Sequence, residues 1–303
     1  MTDTLILAIF GPTGSGKSDV AEAFAERVPA RLISADAMQA YRGLPILTNQ
    51  SGYPTEFVGI WDLDREASVG EYAELAHAAV DSALAYGLQP VVVGGTGLYL
   101  RSALVDLGLP PAPPPGVRER WEREYARRGA DGAHAVLTER DPSAAARVHP
   151  NDRRRVVRAL ELTDVGGSLA RSDDRLWSTK MRHPTLIVGL EVPQAVLEDR
   201  IDGRTREMFE RGVEDEVRAA LLQPMSSTAS MIFGLREIAE LPMAEAQESL
   251  ARRTKRYASY QRKWMRRIPG LVTVPADRPA GEVADEILEM ARSRERLPAG
   301  PAG

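Results

Sequence analysis

The segment Phe10-Gly11-Pro12-Thr13-Gly14-Ser15-Gly16-Lys17-Ser18 constrains this chain more than any other. A glycine, four free positions and then Gly-Lys-Ser is the phosphate-binding P-loop pattern, which needs a strand before it and a helix after it. Both are present: Thr4 to Phe10 is an apolar run of strand length, and Asp19 to Val28 reads as a helix. Glycines let backbone amides turn inward around phosphate oxygens, and a helix N-terminus adds its positive end. Gly11, Thr13, Gly14, Ser15 and Gly16 are therefore the expected cradle. Lys17 is the point charge on the terminal phosphate, and Ser18 is the hydroxyl that reaches a bound magnesium ion. A chain of this length meets the bare pattern by accident only about one time in a hundred. The loop says that something phosphorylated binds, and leaves the reaction open.

Composition narrows the classes that remain. At 303 residues, 43% hydrophobic and 27% charged, the sequence suits a soluble globular protein of roughly two domains. No apolar run approaches the ~20 residues of a membrane span, and Met1-Thr2-Asp3 lacks the basic start of a signal peptide, so a cytoplasmic protein is expected. The absence of cysteine excludes disulfides, thiolate zinc sites and cysteine nucleophiles, and His77, His134, His149 and His183 have no metal-ligand spacing. A net charge of −4 announces no polyanionic partner, so such a claim must rest on local clusters.

Along the chain, Arg31 to Ser34 reads as a short strand with Asp36 just beyond it. In a parallel sheet that position faces the ligand crevice, although Asp36 reads equally well as a helix N-cap. Residues 45–66 read as irregular, Ser68 to Tyr86 as an amphipathic helix ended by Gly87, and Pro90 to Val93 as a buried strand. That strand runs into Gly94-Gly95-Thr96, where two glycines allow close backbone approach, and Thr96 and Arg101 follow on the same sheet edge as Asp36. The proline-rich stretch 109–116 is the expected domain boundary.

Beyond it the character changes to charged helices over Val117–Arg128, Gly132–Glu139, Pro142–Val148 and Asp152–Val165. The last carries Arg153, Arg154, Arg155 and Arg158, readable as a solvated face or as a phosphate-backbone contact. Strand character returns at 184–192, and one long helix is expected from Pro193 through Arg200, Arg204, Met208 and Glu216. A final long helix over 243–267 holds eight basic and no acidic residues between Arg252 and Arg267, which points to a polyanion. Its Tyr257, Tyr260 and Trp264 share one face and are expected in the core. A strand at 271–275 and a helix at 279–294 complete the pattern. The expected fold is α/β, a P-loop NTPase-like parallel sheet flanked by helices over 1–115 and 184–295. A mainly helical insertion is expected at 116–183, with a disordered tail at 296–303.

Several stretches together resemble the tRNA dimethylallyltransferases, which transfer a prenyl group to an adenosine beside the anticodon. They are GPTGSGKS at 11–18, ISADAMQAYRGLP at 33–45, SVGEYAELA at 68–76, VVVGGTGLYLR at 91–101, HPNDRRRVVRALEL at 149–162, RIDGRTREMFERGVEDEV at 200–217 and TKRYASYQRKWMRR at 254–267. They follow the family's order nearly end to end. The resemblance implies a P-loop that holds the diphosphate of dimethylallyl diphosphate, with magnesium at Ser18 and Arg204 on the leaving group. It implies Asp36 as general base on the adenine amino group, with Thr96 and Arg118 beside it in the catalytic set. It implies tRNA contacts at Asp36, Ala37, Met38, Gln39, Thr96, Arg101, Arg118, Arg154, Arg155 and Arg158, an insertion that grips the anticodon stem-loop, and a monomer. The chain departs from the family at Ala37, where Ser is usual, at 46–49 and 57–61, and around Met231-Ile232-Phe233-Gly234-Leu235. A metabolite kinase would use the same P-loop but leaves Thr96-Gly97-Leu98-Tyr99 and the basic helix unexplained. An RNA-binding ATPase would need an acidic strand end where Gly94-Gly95 stands.

Overall fold

The computed structural model describes residues 4–109, 114, 116–170 and 175–295. Most of the proline-rich boundary and the tail 296–303 lie outside the described residues. The chain divides into two compact units, Met1–Leu107 with Leu176–Gly303, and Gly108–Arg175.

The first unit is built on six strands: β1 (Ile6–Phe10), β2 (Ala30–Ser34), β3 (Thr55–Glu56), β4 (Gln89–Gly94), β5 (Thr185–Glu191) and β6 (Leu271–Pro275). All pair in parallel, in the order β3-β2-β4-β1-β5-β6. The central strand β1 is buried at every position, as expected of an apolar run covered on both faces. The register aligns Phe10 with Gly94 and Ser34 with Val93, which brings the carboxyl ends of β1, β4 and β2 level. The strand order reverses around β1, and in open parallel sheets that switch point is where ligands sit. This is the α/β, P-loop NTPase-like core.

Helices α1 (Lys17–Ala25), α2 (Val69–Ala85) and α3 (Gly97–Leu104) connect the first half of the sheet. Ser68 caps α2 by accepting the Glu71 N–H, and Gly87 leaves it with φ +68°. The second unit holds α4 (Val117–Arg140), α5 (Pro142–Ala145) and α6 (Arg153–Asp164). The two helices expected at 117–128 and 132–139 both form within α4 and meet at Gly129, whose φ of +73° and ψ of 178° break the helical path between them. Its small core gathers Trp121, Leu137, Val148, Val156 and Leu160. Back in the first unit come α7 (Gln194–Glu210), α8 (Val213–Leu221), α9 (Leu235–Glu240), α10 (Met243–Met265) and α11 (Ala280–Glu295).

The structure corrects several sequence expectations. Residues 176–183 belong to the sheet unit and not to the insertion. Arg101 donates to the carbonyls of Leu176 (2.8 Å) and Ser178 (2.6 Å), and the Arg182 N–H to Leu104 (3.0 Å). The long helix through Glu216 is two, α7 and α8, because Gly212 adopts φ +84° between them. The irregular 45–66 stretch contains the edge strand β3, two residues too short to leave a periodic signal. The aromatic face of α10 is only partly core: Trp264 packs against the core, half-buried with its ring centroid 5.0 Å from that of Trp177, and Tyr257 is half-buried, but Tyr260 is 54% exposed.

Candidate active site

The P-loop leaves β1 and turns into α1 with Gly14 at φ +82° and Gly16 at φ +80°, conformations that only glycine adopts freely. Gly16 stands at the N-cap, so the first amides of α1 point into the loop, and the Ser15 N–H closes it onto the Pro12 carbonyl at 3.1 Å. Ser15 Oγ is buried beneath Gly11 and has no hydrogen-bond partner among the described residues.

Two other strand ends meet this loop. After β2 the Ala35 N–H donates to the Val93 carbonyl at 2.7 Å and the Ala35 carbonyl accepts from Thr96 at 3.2 Å, which ties the Asp36 segment to the Gly-rich loop of β4. A Cβ on Gly94 would come within 2.2 Å of the Ala35 carbonyl oxygen, so glycine is obligatory there. Asp36 Oδ1 accepts the Met38 N–H at 3.0 Å, and no helix follows; the residue caps a turn. The Thr96 hydroxyl accepts the Ala37 N–H at 3.3 Å.

Sequence reasoning did not assign a role to Gln261, the residue that locks these loops together. It is buried on α10; its Oε1 accepts the Thr13 N–H at 2.8 Å and its Nε2 donates to the Gly95 carbonyl at 2.8 Å. The signals were glycines: a Cβ on Gly95 would strike Gln261 Nε2 at 2.2 Å, and one on Gly97 would strike the Trp264 ring at 2.3 Å. The Gly-Gly-Thr-Gly stretch is the dent into which α10 fits.

The resulting pocket is lined by Thr13, Lys17, Ser18, Asp36, Arg204 and Tyr257 on its polar side. Arg204 of α7 donates to the Thr13 hydroxyl. Burial pulls the Lys17 ammonium down to about 8, Asp36 opposes that pull, and Arg204 adds to it. Burial likewise lowers Arg204, with Asp36 working the other way. The Tyr257 hydroxyl is raised by burial and by the Asp36 charge, and lies beside the Thr96 and Gln261 side chains. Two desolvated cations that share the Asp36 carboxylate, with Asp19 near Lys17 and Glu207 near Arg204, form a site for an anion. Among the described residues no cluster of three or more acidic or histidine side chains could hold a metal by itself. A magnesium ion fits the remaining donor set, the Ser18 hydroxyl completed by substrate phosphate oxygens and water, since magnesium is commonly held that way.

Other expected residues are placed differently. Arg101 is fully buried, lowered by burial to about 10, and its guanidinium serves carbonyls of 176–178; it is an internal strut, not a tRNA contact. The Gln39 amide is also used internally, donating to Asn49 O (2.9 Å) and Thr48 O (3.3 Å) and accepting from Ser34 Oγ (3.3 Å). It organises the 46–50 turn, which Glu216 holds by accepting the Ile46 and Leu47 N–H groups, both at 2.7 Å. Met38 lines the pocket.

Arg118, Arg154, Arg155 and Arg158 lie in the second unit. Arg118 stands 3.8 Å from the buried Glu161 and 3.6 Å from Glu122, and Arg158 pairs with Glu161 at 3.0 Å. Arg154 and Arg155 are exposed and form no ion pair among the described residues. No helix among the described residues is long and apolar enough to cross a membrane.

Comparison with known proteins places this geometry. Residues 39–268 match the IPP transferase family, and residues 4–58 match the isopentenyl transferase family. The chain is 37% identical over 294 residues to the tRNA dimethylallyltransferase of Thermobifida fusca, covering 90% of this chain and 91% of that one. It is 40% identical over 282 residues to that of Mycobacterium tuberculosis, covering 86% and 89%. The crystal structure of the tRNA isopentenylpyrophosphate transferase of Bacillus halodurans superimposes with a TM-score of 0.68 at 28% identity, over 97% of this chain and 99% of that one. A eukaryotic dimethylallyltransferase described as acting on tRNA shares the fold, with a TM-score of 0.81 at 23% identity over 99% and 82%.

Proposed function

Because the chain belongs to the tRNA dimethylallyltransferase family, we propose that it moves the dimethylallyl group from dimethylallyl diphosphate to the exocyclic amino nitrogen of adenosine 37 in tRNA, beside the anticodon. It is a prenyltransferase. The tRNAs are those reading codons that begin with U, and the released product is diphosphate. The observation that carries this reading is the meeting of Lys17, Arg204 and Asp36 in one pocket.

The chemistry follows from those groups. The amine nitrogen attacks the allylic carbon as its carbon–oxygen bond to the diphosphate breaks, and Asp36 accepts the proton the amine gives up. Lys17, Arg204 and the loop amides meet the negative charge that grows on the leaving diphosphate. Thr96, whose hydroxyl accepts the Ala37 N–H next to Asp36, orients the base, and Arg118 is a tRNA-contacting residue of the helical unit. Ser18 would hold magnesium, which supplies further charge neutralisation to the diphosphate. The adenine leaves its stack to enter the pocket, at a cost of a few kcal/mol that a loop base keeps low. The helical unit, through Arg154 and Arg155, grips the anticodon stem-loop. The enzyme acts as a monomer in the cytoplasm.

The test is mass analysis of nucleosides after incubating protein, dimethylallyl diphosphate and an anticodon stem-loop. Prenylated adenosine is expected, and Asp36→Asn should lower turnover by about 1,000-fold with diphosphate affinity near wild type. Transfer to free AMP but not to the stem-loop refutes the tRNA reading, and phosphoryl transfer from ATP refutes prenyl transfer.

A further inference from the structure

Beyond the phosphate end, the same pocket turns apolar, with Leu47, Met208, Phe233 and Leu250 in its wall. Two helices give the pocket its direction. On α10, Gln261, Tyr257, Thr254 and Leu250 recur every three or four residues, so one face leads from the phosphate loop at Gln261 to Leu250, about 16 Å away. On α7, Arg204 reaches the Thr13 hydroxyl and Met208 stands one turn further on. A polar head group at Lys17 and Arg204 therefore leads into an apolar space roughly one turn beyond it.

Phe233 is fixed in that space on several sides. Its ring meets Tyr257 edge to face at 4.8 Å, and the Arg253 guanidinium lies 4.4 Å from its centroid. Arg253 is itself held by Glu237 at 2.6 Å, and Glu237 also accepts the Gly234 N–H at 3.2 Å. Gly234 takes φ +96°, and a Cβ there would stand 2.5 Å from Leu47 Cδ1. The backbone next to the ring thus packs closely against Leu47, and Tyr257 and Arg253 hold the ring itself.

We propose that Phe233 sets the length of the prenyl group by closing the apolar end of the pocket after one five-carbon unit. This rests on reading the pocket as the prenyl diphosphate site. A ten-carbon geranyl tail carries a second isoprene unit into the space the ring fills.

The experiment compares kcat/KM for dimethylallyl and geranyl diphosphate with the same anticodon stem-loop, using the wild type, Phe233→Leu and Phe233→Ala. The wild type should prefer dimethylallyl by about 100-fold or more. Phe233→Ala should raise geranyl transfer by about 10-fold or more and weaken dimethylallyl transfer mainly through KM, with Phe233→Leu between them. A wild type that uses both tails equally, or variants with an unchanged ratio, overturns the proposal. If the alanine variant does not fold, the leucine variant decides. Calorimetry with the two thiodiphosphate analogues, without RNA, separates the two readings. Tail-dependent binding that Phe233→Leu alters, with no transfer to the stem-loop, refutes the tRNA reading and upholds the role of Phe233. Failure of the dimethylallyl analogue to bind refutes the prenyl site and this proposal with it, whereas weak or absent binding of the geranyl analogue alone is the result expected of the wild type.

Discussion

In the sheet unit the cations of the pocket, Lys17 and Arg204, are desolvated and share one carboxylate, Asp36, with Asp19 acting on the first and Glu207 on the second, whereas in the helical unit most of the described arginines are already paired. Arg120 and Arg140 share Asp164 while lying over the Trp121 ring, and Arg118 and Arg158 share the buried Glu161. The first arrangement leaves positive charge for a ligand to neutralise and depends on geometry. The second spends charge on holding its helices around a small core and leaves Arg154 and Arg155 exposed, without an ion pair among the described residues. A pocket built on close approach should fail steeply when shape changes, and a charged surface should fail gradually and with salt.

The steepest effect is expected at Gly95. Gly95→Ala drives a methyl group into Gln261 and should cost about 2 kcal/mol of stability. It should also lower kcat/KM by about 100-fold, because the lock on Thr13 is displaced. Thermal melting and steady-state kinetics check both; a variant that melts and turns over like wild type would remove Gln261 from the account.

A middle-sized effect is expected from pH. Lys17 loses its proton near pH 8 in the free protein, and an anionic ligand favours the protonated form. Affinity for a prenyl thiodiphosphate should hold steady below pH 8 and fall by up to about tenfold per unit above it, with proton uptake on binding measured by calorimetry. The free fold behaves oppositely: an unfolded lysine keeps its proton to about 10.4, so this group makes folding more favourable as pH rises from 8 to that value. Binding that is flat to pH 9.5 would contradict the buried ammonium.

The smallest effect belongs to the helical unit. Arg154→Gln with Arg155→Gln should weaken stem-loop binding several-fold at moderate salt and reduce the salt slope by about 1.5. Turnover at saturating RNA and the affinity for prenyl diphosphate should not move. A salt slope equal to that of wild type would return both side chains to a solvated face.

The sheet and the P-loop were legible in the sequence because apolar runs, glycine spacing and a helix start are local signals. Asp36 and Thr96 were legible in position, since strand ends in a parallel sheet share one edge. What was not legible depends on residues far apart. Gln261 looks like any polar residue on a basic helix until Thr13 and Gly95 stand beside it. Arg101 reads as a surface cation until the 176–178 carbonyls bury it. Tyr257 and Tyr260 share a helix face in sequence, yet one lines the pocket and the other is exposed, because the facing Phe233 reaches only the first. Gly212 split a helix that periodicity alone continues, a consequence of one positive φ.

The bond between Gln261 and Thr13 spans 248 positions of chain. At synthesis rates of about 5–20 residues per second, roughly 12 to 50 s pass between the making of the phosphate loop and the making of its lock. The segment most readily recognised in the sequence is among the first translated and the last completed. A chain cut short anywhere before α10 carries the P-loop motif without the fixed loop, and gene fragments that retain the motif should yield protein that does not hold diphosphate.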